Sequence, residues 1–523
     1  MMIPFHIMKK TNFDIIVIGG GATGAGIALD ASLRGLSVAL FEQNDFAEGT
    51  SSRSTKLVHG GVRYLEAAVK RLDKAQYALV REGLKERKLF LQNASHLAHP
   101  IQLITPLYKW YEIPYIYAGL FLYDLISGKA SLGRSRLMGA KKALSINPSI
   151  NPKGLKAAVS YYDGAFNDAR MVIALLQSAT ANTATVHNHH KVVSLLKDNK
   201  QISGVTVLDK STGEQYSYKA SVVINATGPF VDDIRLLDEP STKPIIQASS
   251  GIHIVVDSKF LPSKEGLMIP ETSDGRVLFA LPYQGRCLIG TTDNPAKLSQ
   301  HPKVTQEEIE YLLANVNSYF GIKISQADIL SSFSGLRPLL IQDESADTAH
   351  IVREHIEEFS DSGLLTIAGG KWTSYRSMAE SAIDLALVKL GKSSKTDPCQ
   401  TTDYKVIGSQ QSQTSMSHIP KHLFDLYGDQ SQKIIDIAHD ENATTKLHPK
   451  LETSTAELIY TIRHEYVKKP LDFITRRSNI GLLDKEMAIA ILPKVCKVMR
   501  DELGWSDEKA QEMEAEALAE ILD

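Results

Sequence analysis

The chain opens with two short apolar runs, which a glycine turn and a helical pattern separate. The stretch "FDIIVIGGGATGAGIALDASLRGLSVALFE" is apolar up to Ile18, carries apolar residues at helical spacing after the glycines, and ends its second apolar run at Glu42. Short apolar runs bounded by turn residues favour strands, and a 3.6-residue period favours a helix. The pattern therefore predicts a βαβ unit.

The patterns further along predict an α/β chain with a helical end. They indicate an amphipathic helix over 71–93, short strands over 183–224, a second strand-rich region over 245–292, and a strand, glycine pair and helix over 363–391. A polar segment rich in Ser, Thr, Gln and Lys then extends to about residue 452 and marks a boundary. Helical periodicity after it predicts a separate C-terminal helical domain.

Composition narrows the class of protein. A chain of 523 residues is long enough for about two to four domains, and its net charge of -2 gives no reason to expect nucleic acid as a partner. Cys287, Cys399 and Cys496 are far apart and show no CxxC or zinc spacing. The N-terminus "MMIPFHIMKK" is a poor signal peptide. We therefore expect a cytoplasmic protein that borrows any redox agent from a bound cofactor.

The segment closest to a membrane-spanning pattern, "YKWYEIPYIYAGLFLYDLISG", covers Tyr108–Gly128. Asp124 interrupts its apolar run, which falls short of the roughly 18 apolar residues that predict a membrane-spanning helix. A buried helix is one interpretation. The aromatic residues equally favour a surface that dips into a membrane interface, so both interpretations stay open from the sequence.

Gly19, Gly21 and Gly24 have the GxGxxG spacing of a dinucleotide-binding turn. The first glycine permits the tight turn, the second admits a pyrophosphate close to the backbone, and the third lets the helix pack on the strand. Glu42 falls at the end of the second strand, where a carboxylate accepts hydrogen bonds from ribose hydroxyls. The unit predicts a nucleotide site, with NAD and FAD both open.

Two later turns have the same character. "SVVINATGPF" leads from an apolar strand into Thr227 and Gly228, and "IAGGKW" leads from a strand toward a helix. A site that draws on three such turns indicates an extended dinucleotide.

A string of histidines, His187, His189 and His190, raises the question of a metal site. Neighbouring strand residues point to opposite faces, and no acidic residue stands beside them in the sequence. We therefore expect no metal there.

The block "TSSRSTKLVHGGVRYLE" places cations, a histidine and a tyrosine beside two adjacent glycines. Together with "INATGPFVD", "SFSGLRPLL", "VREH", "IAGGKWTSYRSMAE" and "AELIYTIRHEYVKKPLDFITRRSNIGLLD", it resembles the FAD-dependent glycerol-3-phosphate dehydrogenases of aerobic respiration. The motifs occur in order over nearly the whole chain. Glycine turns of this kind are shared with amino-acid oxidases and other flavoproteins, whereas the first block is more specific. Mitochondrial relatives carry a calcium-binding extension that this sequence does not show, which indicates the bacterial type.

The resemblance implies an α/β fold with a Rossmann-like FAD-binding domain of the glycine-oxidase-like type, an interleaved mixed-sheet substrate domain and an all-helical C-terminal domain. We expect the oxidoreductase region over 12–390, with FAD-binding segments near 12–95, 155–240 and 335–390 and substrate-domain segments near 96–154 and 241–334. A linker over 391–415 and the helical domain over 416–523 would complete the chain.

By resemblance, the cofactor is FAD. Its ADP half would lie on the first glycine turn and Glu42, its phosphates and ribityl chain near Thr50–Lys56, its adenine at the backbone of Val192, and its isoalloxazine near Gly369–Thr373. The cofactor residues that the resemblance implies are Gly19, Gly20, Gly21, Ala22, Thr23, Gly24, Glu42, Thr50, Ser51, Ser52, Lys56, Leu57, Gly60, Val192, Thr227, Gly228, Gly369, Gly370, Lys371, Trp372 and Thr373.

The implied substrate, glycerol 3-phosphate, is a small dianion, so its site must obtain affinity from cations, and guanidinium groups match phosphate geometry. The resemblance assigns substrate contacts to Arg63, Tyr64, Arg337, Arg353 and Lys371. Without it, the surroundings of Arg353 favour an ordinary surface ion pair with Glu354 or Glu357. The residues "SG" before Arg337 and the proline after it predict a turn at that position.

The resemblance also implies the reaction, in which FAD takes a hydride from C2 of the substrate while a base removes the proton of the C2 hydroxyl, giving dihydroxyacetone phosphate. His59 is the favoured base because imidazole titrates near neutral pH. Lys371 is the alternative base, and Arg337 completes the expected catalytic set by holding the phosphate.

Ubiquinone or menaquinone is the expected electron acceptor, which implies a peripheral protein at the inner face of the cell membrane, with a homodimer as a candidate assembly. One alternative is a glycerol-3-phosphate oxidase that makes hydrogen peroxide, although the insertion usual in such relatives is not seen between Glu66 and Tyr161. A flavin amine or amino-acid oxidase and a nucleotide-binding regulator without chemistry are further alternatives. Cations from several separate segments, together with His59, argue against both.

Overall fold

Two β-sheets and a helical C-terminal part make up the fold in the computed structural model, which describes residues 10–61, 74–341, 355–393, 395–411 and 416–523. The strands are β1 (Asn12–Ile18), β2 (Val38–Phe41), β3 (Leu57–Val58), β4 (Ala98–Leu107), β5 (Arg136–Gly139), β6 (Ala157–Phe166), β7 (Thr185–His187), β8 (His190–Asp198), β9 (Gln201–Asp209), β10 (Gln215–Asn225), β11 (Ile246–Asp257), β12 (Gly266–Ile269), β13 (Leu278–Tyr283), β14 (Arg286–Gly290), β15 (Asn294–Pro295), β16 (Ile329–Leu340), β17 (His355–Phe359) and β18 (Leu364–Gly369). The α-helices are α1 (Ala22–Leu33), α2 (Lys74–Asn93), α3 (Glu112–Ser127), α4 (Ala140–Ile146), α5 (Asp168–Ala181), α6 (Val231–Asp238), α7 (Gln306–Tyr319), α8 (Tyr375–Lys389), α9 (Lys421–Tyr427), α10 (Ser431–Asp440), α11 (Thr455–His464), α12 (Ile480–Leu483), α13 (Lys485–Leu503) and α14 (Asp507–Leu522).

The first sheet is built around the predicted βαβ unit. Its strands β18, β10, β1, β2 and β7 lie side by side in this order and pair in parallel. The helix α1 packs against α5 and α8 on one face, where Ile15, Val17 and Leu40 are fully buried. Because the carboxyl ends of parallel strands share one edge of a sheet, the turns after β1, β10 and β18 meet there. The predicted α/β fold and its βαβ unit are confirmed.

The second sheet is mixed and carries the expected substrate side of the molecule. Its order is β15, β11, β14, β13, β12, β4, β6, β3, with β16 on the free side of β11 and β5 beside β6. Ile252 and Ile254 of β11 pack with Leu312 and Val316 of α7 in one buried core. Because side chains alternate across a strand, Gly251 and its alternate neighbours face the other way.

The two sheets exchange the chain at other points than the sequence predicts. β6 lies in the segment predicted to bind FAD near 155–240, and the second half of β16 lies in the segment near 335–390, yet both strands pair in the second sheet. β6 runs antiparallel along β4, and β16 runs antiparallel along β11. The chain therefore returns to the first sheet only after these strands. The sequence does not predict these crossing points, because strands of either sheet show the same apolar pattern locally.

The residues after the polar boundary form helices, as the periodicity predicts. They have their own buried cores, one around Leu458 and Phe473. The segment predicted as a linker is attached to the end of α2. The side-chain amide of Asn93 donates to the carbonyl of Thr401 over 3.0 Å, and the amide of Val406 donates to the carbonyl of Asn93 over 3.0 Å.

The aromatic segment that precedes and forms α3 lies on the surface. Trp110 and Tyr111 are 69% and 71% exposed, and Phe121 and Leu125 of the helix are 51% and 62% exposed. The interpretation of this segment as a buried helix is therefore wrong. None of the helices in the described parts of the chain combines the length and the hydropathy that a membrane crossing requires.

Candidate active site

The turn after β1 leaves space where a ligand must approach the backbone. Gly19 has a φ of +109°, and a Cβ there would lie 2.6 Å from the carbonyl oxygen of Ala226. A Cβ on Gly24 would lie 1.9 Å from the carbonyl oxygen of Gly19, whereas the neighbours found within 4 Å of a Cβ on Gly21 belong to Ser51. A Cβ on any of the three glycines would be crowded, with the Ser51 Oγ only 2.9 Å from a Cβ on Gly21, so the turn requires glycine at each position, as expected where a pyrophosphate approaches the backbone.

Glu42 lies directly behind this turn. One carboxylate oxygen accepts from the amide of Gly20 over 2.7 Å, and the other accepts from the amide of Asn44 over 2.9 Å. Burial raises the pKa of Glu42 above its ordinary value, while these two amides act in the opposite direction. The carboxylate thus ties the end of β2 to the glycine turn at the position where a ribose diol is expected.

The short turn Thr50–Ser52 contacts the start of α1 and β16, two distant parts of the chain. The Oγ of Ser51 accepts from the amide of Ala22 over 2.9 Å, in the same first turn of α1 that contains Thr23. The hydroxyl of Thr50 donates to the carbonyl of Leu336 in β16 over 2.6 Å. The backbone of this turn is therefore positioned beside the predicted pyrophosphate.

Lys56, predicted to contact FAD, lies in a buried ion pair. Its Nζ donates to Asp168 and to the carbonyl of Ser52, both over 2.6 Å, and the residue is 2% exposed. Burial lowers its pKa, and Asp168 opposes this. The contact shows that Lys56 joins the predicted phosphate turn to the start of α5. Leu57 follows it in β3, which pairs with β6.

The turn after β10 closes the other side of the nucleotide edge. The hydroxyl of Thr227 donates to the side-chain carbonyl of Asn225 over 2.7 Å, whose amide donates in turn to the carbonyl of Val231 over 2.8 Å. Gly228 has a φ of +60° and nothing within 4 Å of its Cβ position. Val192 lies in β8 with its side chain buried, which leaves its backbone as the part that a ligand could meet.

His59 and the glycines after it are held by two other elements. The hydroxyl of Thr373 donates to the carbonyl of His59 over 3.3 Å, and the amide of Gly60 donates to Asp163 over 3.3 Å. Asp163 is itself paired with Arg87 over 2.8 Å, and both side chains are buried. The predicted base is thus on a segment whose backbone is anchored to both sheets.

The turn after β18 brings the last predicted cofactor residues to the same edge. Gly369 and Gly370 have φ values of +81° and +79°, and Lys371 follows them half-buried. The indole of Trp372 donates to the carbonyl of Ser51 over 3.0 Å. Since Thr373 reaches His59, this turn contacts the 51–61 segment at both of its ends.

Arg337 lies in a strand and not in the turn that the sequence predicts. It belongs to β16, opposite Ser249 of β11, because the long antiparallel ladder overrides the local preference of the glycine and proline beside it. Its guanidinium donates to Asp293 (3.2 Å), to the hydroxyl of Thr291 (3.1 Å) and to two backbone carbonyls, those of Ser250 (3.2 Å) and Thr292 (2.9 Å). A Cβ on Gly251 would lie 2.3 Å from the guanidinium.

The sequence interpretation missed His253, which lies on the same face of β11 as Gly251. Its Nε2 is 3.0 Å from the hydroxyl of Thr55, its ring stacks on Phe333 at 5.1 Å, and its Nδ1 is buried with no hydrogen-bond partner in the described part of the chain. Burial lowers its pKa well below the ordinary value, followed by the charges of Lys56 and Arg337. A neutral ring with a buried, unused nitrogen is a candidate substrate contact. The signal was present: His253 interrupts the apolar run "GIHIVVD".

Three of the predicted substrate residues, Arg63, Tyr64 and Arg353, lie outside the described residues. The histidine string has an acidic partner after all, because the fold brings Asp472 to 3.1 Å from His189 and Asp209 to 3.8 Å from His190. For every residue that the sequence assigns to the cofactor or substrate site, the contact with FAD or substrate stays a prediction.

Comparison with known proteins gives the same picture. Residues 14–376 match the family model described as FAD dependent oxidoreductase, and residues 399–510 match the C-terminal domain of alpha-glycerophosphate oxidase. A mitochondrial glycerol-3-phosphate dehydrogenase of Arabidopsis thaliana is 41% identical over 98% of this chain and 86% of its own length.

Solved structures extend the likeness. A glycerol-3-phosphate dehydrogenase from Bacillus halodurans, complexed with FAD, has a TM-score of 0.80 and 31% identity, covering 98% of this chain and 95% of the other. A glycine oxidase from Geobacillus kaustophilus has a TM-score of 0.53 at 18% identity over 74% of this chain and 97% of its own, which supports the predicted glycine-oxidase-like fold. The chain therefore belongs to the FAD-dependent oxidoreductases and, within them, to the glycerol-3-phosphate dehydrogenase family.

Proposed function

We propose that this chain oxidises glycerol 3-phosphate to dihydroxyacetone phosphate with FAD and passes the electrons to a quinone at a membrane surface. One observation carries the proposal: the segment 51–61 connects the nucleotide turn to the sheet that holds Arg337. Ser51 contacts the start of α1, Thr55 contacts His253, and His59 contacts Thr373. A dinucleotide on the glycine turn and an anion near Arg337 would be held by neighbouring parts of one segment.

In the proposed reaction, the C2–H bond of the substrate breaks with both of its electrons leaving as hydride, and the C2–O bond becomes a carbonyl. FAD, when bound, supplies the acceptor for that hydride. The imidazole of His59 takes the proton of the C2 hydroxyl, with Lys371 as the alternative base. Hydrogen bonds to the carbonyl of His59 and from the amide of Gly60 hold the backbone from which this ring extends.

The phosphate group is proposed to bind among cations contributed by separate elements. The guanidinium of Arg337 is oriented by Asp293 and by hydroxyl and carbonyl groups, so it is pre-organised before substrate arrives. Lys371 adds a second charge from the turn after β18, and Arg63, Tyr64 and Arg353 are proposed to complete the set. This requirement for cations separates the proposal from an amino-acid oxidase, which needs a carboxylate clamp and an apolar pocket.

The exposed aromatic surface at α3 is the proposed point of membrane contact. Trp110, Tyr111, Tyr115, Phe121 and Leu125 are all at least half exposed. Lys156 and Lys109 lie within 6 Å of the rings of Trp110 and Tyr111. Aromatic and apolar side chains flanked by lysines bind an interface with anionic lipids. We place the protein peripherally on the inner face of the cell membrane, where ubiquinone or menaquinone is the acceptor.

An anaerobic reduction experiment tests the chemistry. Purified holoenzyme is mixed with glycerol 3-phosphate, and the loss of the oxidised flavin absorbance is followed, with glycine and lactate as controls. Bleaching by glycerol 3-phosphate alone supports the proposal, whereas bleaching by glycine or no bleaching at all would overturn it. Re-oxidation by a short-chain quinone in vesicles, faster than by dissolved oxygen, is expected for the proposed acceptor. Stoichiometric hydrogen peroxide in air would instead identify an oxidase.

A further inference from the structure

A buried carboxylate of the FAD-binding part is held by two arginines of the C-terminal domain. Asp45, three residues after Glu42, is fully buried. The guanidinium of Arg477 donates to both of its oxygens, over 2.6 Å and 3.0 Å, and the Nε of Arg476 donates over 2.5 Å. Both arginines are buried as well, at 0% and 3% exposure. The stretch 465–477, which contains them, is called the clamp segment below.

The clamp segment also holds the chain between β7 and β8. Asp472 lies 3.1 Å from the Nε2 of His189, and Lys468 donates to the carbonyl of Asn188 over 3.1 Å. The side-chain amide of Asn188 donates both to Asp45 and to the carbonyl of Tyr466, each over 2.9 Å. One stretch of the C-terminal domain therefore hydrogen-bonds to two loops of the first sheet, the loop after β2 that contains Asp45 and the loop between β7 and β8.

These two loops are the ones that flank the predicted adenosine half of the cofactor. The amide of His190 donates to the carbonyl of Glu42 over 2.7 Å, and the amide of Glu42 donates to the carbonyl of His187 over 2.9 Å. Val192, whose backbone is predicted to meet the adenine, follows two residues after His190. Any shift of the clamped loops would therefore be transmitted to Glu42 and its ribose site.

A chain of packed rings leads from the clamp segment to the glycine turn itself. Tyr466 packs edge-on against Phe46, with ring centroids 5.3 Å apart. Phe46 is fully buried, and a Cβ on Gly20 would lie 2.6 Å from its ring. Tyr466 thus supports, through one ring, the turn on which the pyrophosphate is expected to lie.

The charges around Asp45 favour a clamp over a metal site. One ligand atom each of Asp45, His189 and Asp472 lies within 4.8 Å of the others, which is close enough for a shared cation. The carboxylates are already hydrogen-bonded by Arg476 and Arg477, however, and these supply the positive charge. Burial opposes ionisation of Asp45, but the charge of Arg477 and then that of Arg476 hold its pKa below the ordinary value.

We propose that the clamp segment is a positioning element for the adenosine half of FAD and that Arg477 is the residue through which it acts. The helical C-terminal domain would then serve to retain the cofactor, whatever substrate the enzyme oxidises. The inference goes beyond the proposed reaction, and its test uses no substrate, so the two fail independently.

The test compares Arg477→Met with Arg463→Met. Arg463 lies in the same domain and forks onto Glu441 and Glu502, so its removal weakens the domain without touching either clamped loop. Affinities for FAD and for ADP are measured by titration of FAD-depleted protein, and the midpoint of thermal unfolding is measured with and without added FAD. ADP probes the adenosine half alone.

Arg477→Met is expected to raise the dissociation constants of FAD and of ADP by similar factors, each about tenfold or more. It is also expected to make the rise in Tm that FAD produces smaller than in the wild type. Arg463→Met is expected to lower Tm with and without FAD equally and to leave both affinities unchanged. Wild-type affinities in a folded Arg477→Met protein would overturn the inference. A decrease in Tm that is the same with and without FAD would overturn it as well. Where Arg477→Met does not fold, Phe46→Leu interrupts the ring path without unpairing a charge, and the same outcomes decide.

Discussion

The hydroxyl of Thr373 donates to the backbone carbonyl of His59 over 3.3 Å, although the two residues are 314 positions apart in the chain. The contact brings the turn after β18, with Lys371, to the segment that carries the favoured base. Because this hydrogen bond joins the segments that carry the two candidate bases, His59 and Lys371, the two residues are tested below as a pair.

His59→Ala is expected to slow reduction of the flavin by glycerol 3-phosphate by roughly a hundredfold to ten-thousandfold, because a positioned base contributes about that much. Rapid mixing without oxygen measures the rate, and a substrate titration of the same data gives the affinity, which should change much less. Lys371→Met made in parallel decides between the two bases. Wild-type reduction rates in His59→Ala would transfer the assignment to Lys371.

Arg337→Ala is expected to raise the KM for glycerol 3-phosphate by about tenfold to a hundredfold, since a charge-assisted hydrogen bond contributes about 1.5–3 kcal/mol. The matched control is Arg286→Ala in β14 of the same sheet, on the other side of β11, where the guanidinium pairs with Asp484 over 2.8 Å. Steady-state kinetics on both variants separate a phosphate contact from a general effect on the sheet. An unchanged KM for Arg337→Ala would remove its role in substrate binding.

Stability is expected to depend on pH through Glu457, the third residue of α11. Burial raises its pKa from 4.5 to about 7, while the amide of Ser454, which donates to it over 2.7 Å, acts in the opposite direction. Between these values the folded state keeps a proton that the unfolded state has lost, so this group makes the free energy of unfolding fall as pH rises from about 4.5 to about 7. The full effect is on the order of 3 kcal/mol.

Glu457→Gln keeps an acceptor for Ser454 but has no proton to lose. Its free energy of unfolding, relative to that of the wild type, should therefore increase as pH rises from about 4.5 to about 7. Urea unfolding at several pH values measures the difference. Glu441→Gln serves as control, because the hydrogen bonds from Arg463 lower the pKa of Glu441. The difference in free energy of unfolding between this variant and the wild type should not change with pH above about pH 5. A difference between Glu457→Gln and wild type that does not change with pH would refute the prediction.

Phe121→Ser and Leu125→Ser, combined on α3, are expected to weaken binding to anionic vesicles by about tenfold or more, because exposed apolar side chains gain most by leaving water at the interface. Leu236→Ser and Leu237→Ser on α6 are the control, since these leucines are exposed to a similar degree, at 45% and 44%. Vesicle sedimentation measures both pairs. Equal binding of the α3 variant and the wild type would place the membrane contact elsewhere.

The βαβ unit, its glycines and Glu42 could be predicted from the sequence because each depends on a pattern within about thirty residues. The buried partners could not be predicted, since Lys56 meets Asp168 across 112 positions and nothing local marks either residue as paired. Arg337 shows the opposite problem: its neighbours predict a turn, but pairing with β11 decides the backbone. His253 was visible as a polar residue in an apolar strand, yet its place in the site depends on which face of β11 turns away from α7.

The distance in sequence between the clamp and the loop that it holds has a consequence for synthesis. Arg477 lies 432 residues after Asp45, and β18, which lies between β17 and β10 in the first sheet, ends at Gly369. At about 5–20 residues per second, a ribosome needs tens of seconds to a minute or more between the nucleotide turn and its final support. The nascent chain therefore carries Asp45 without its counter-charges for most of its synthesis, and from the proposed role of the clamp segment we expect stable loading of the cofactor only after that segment has been made.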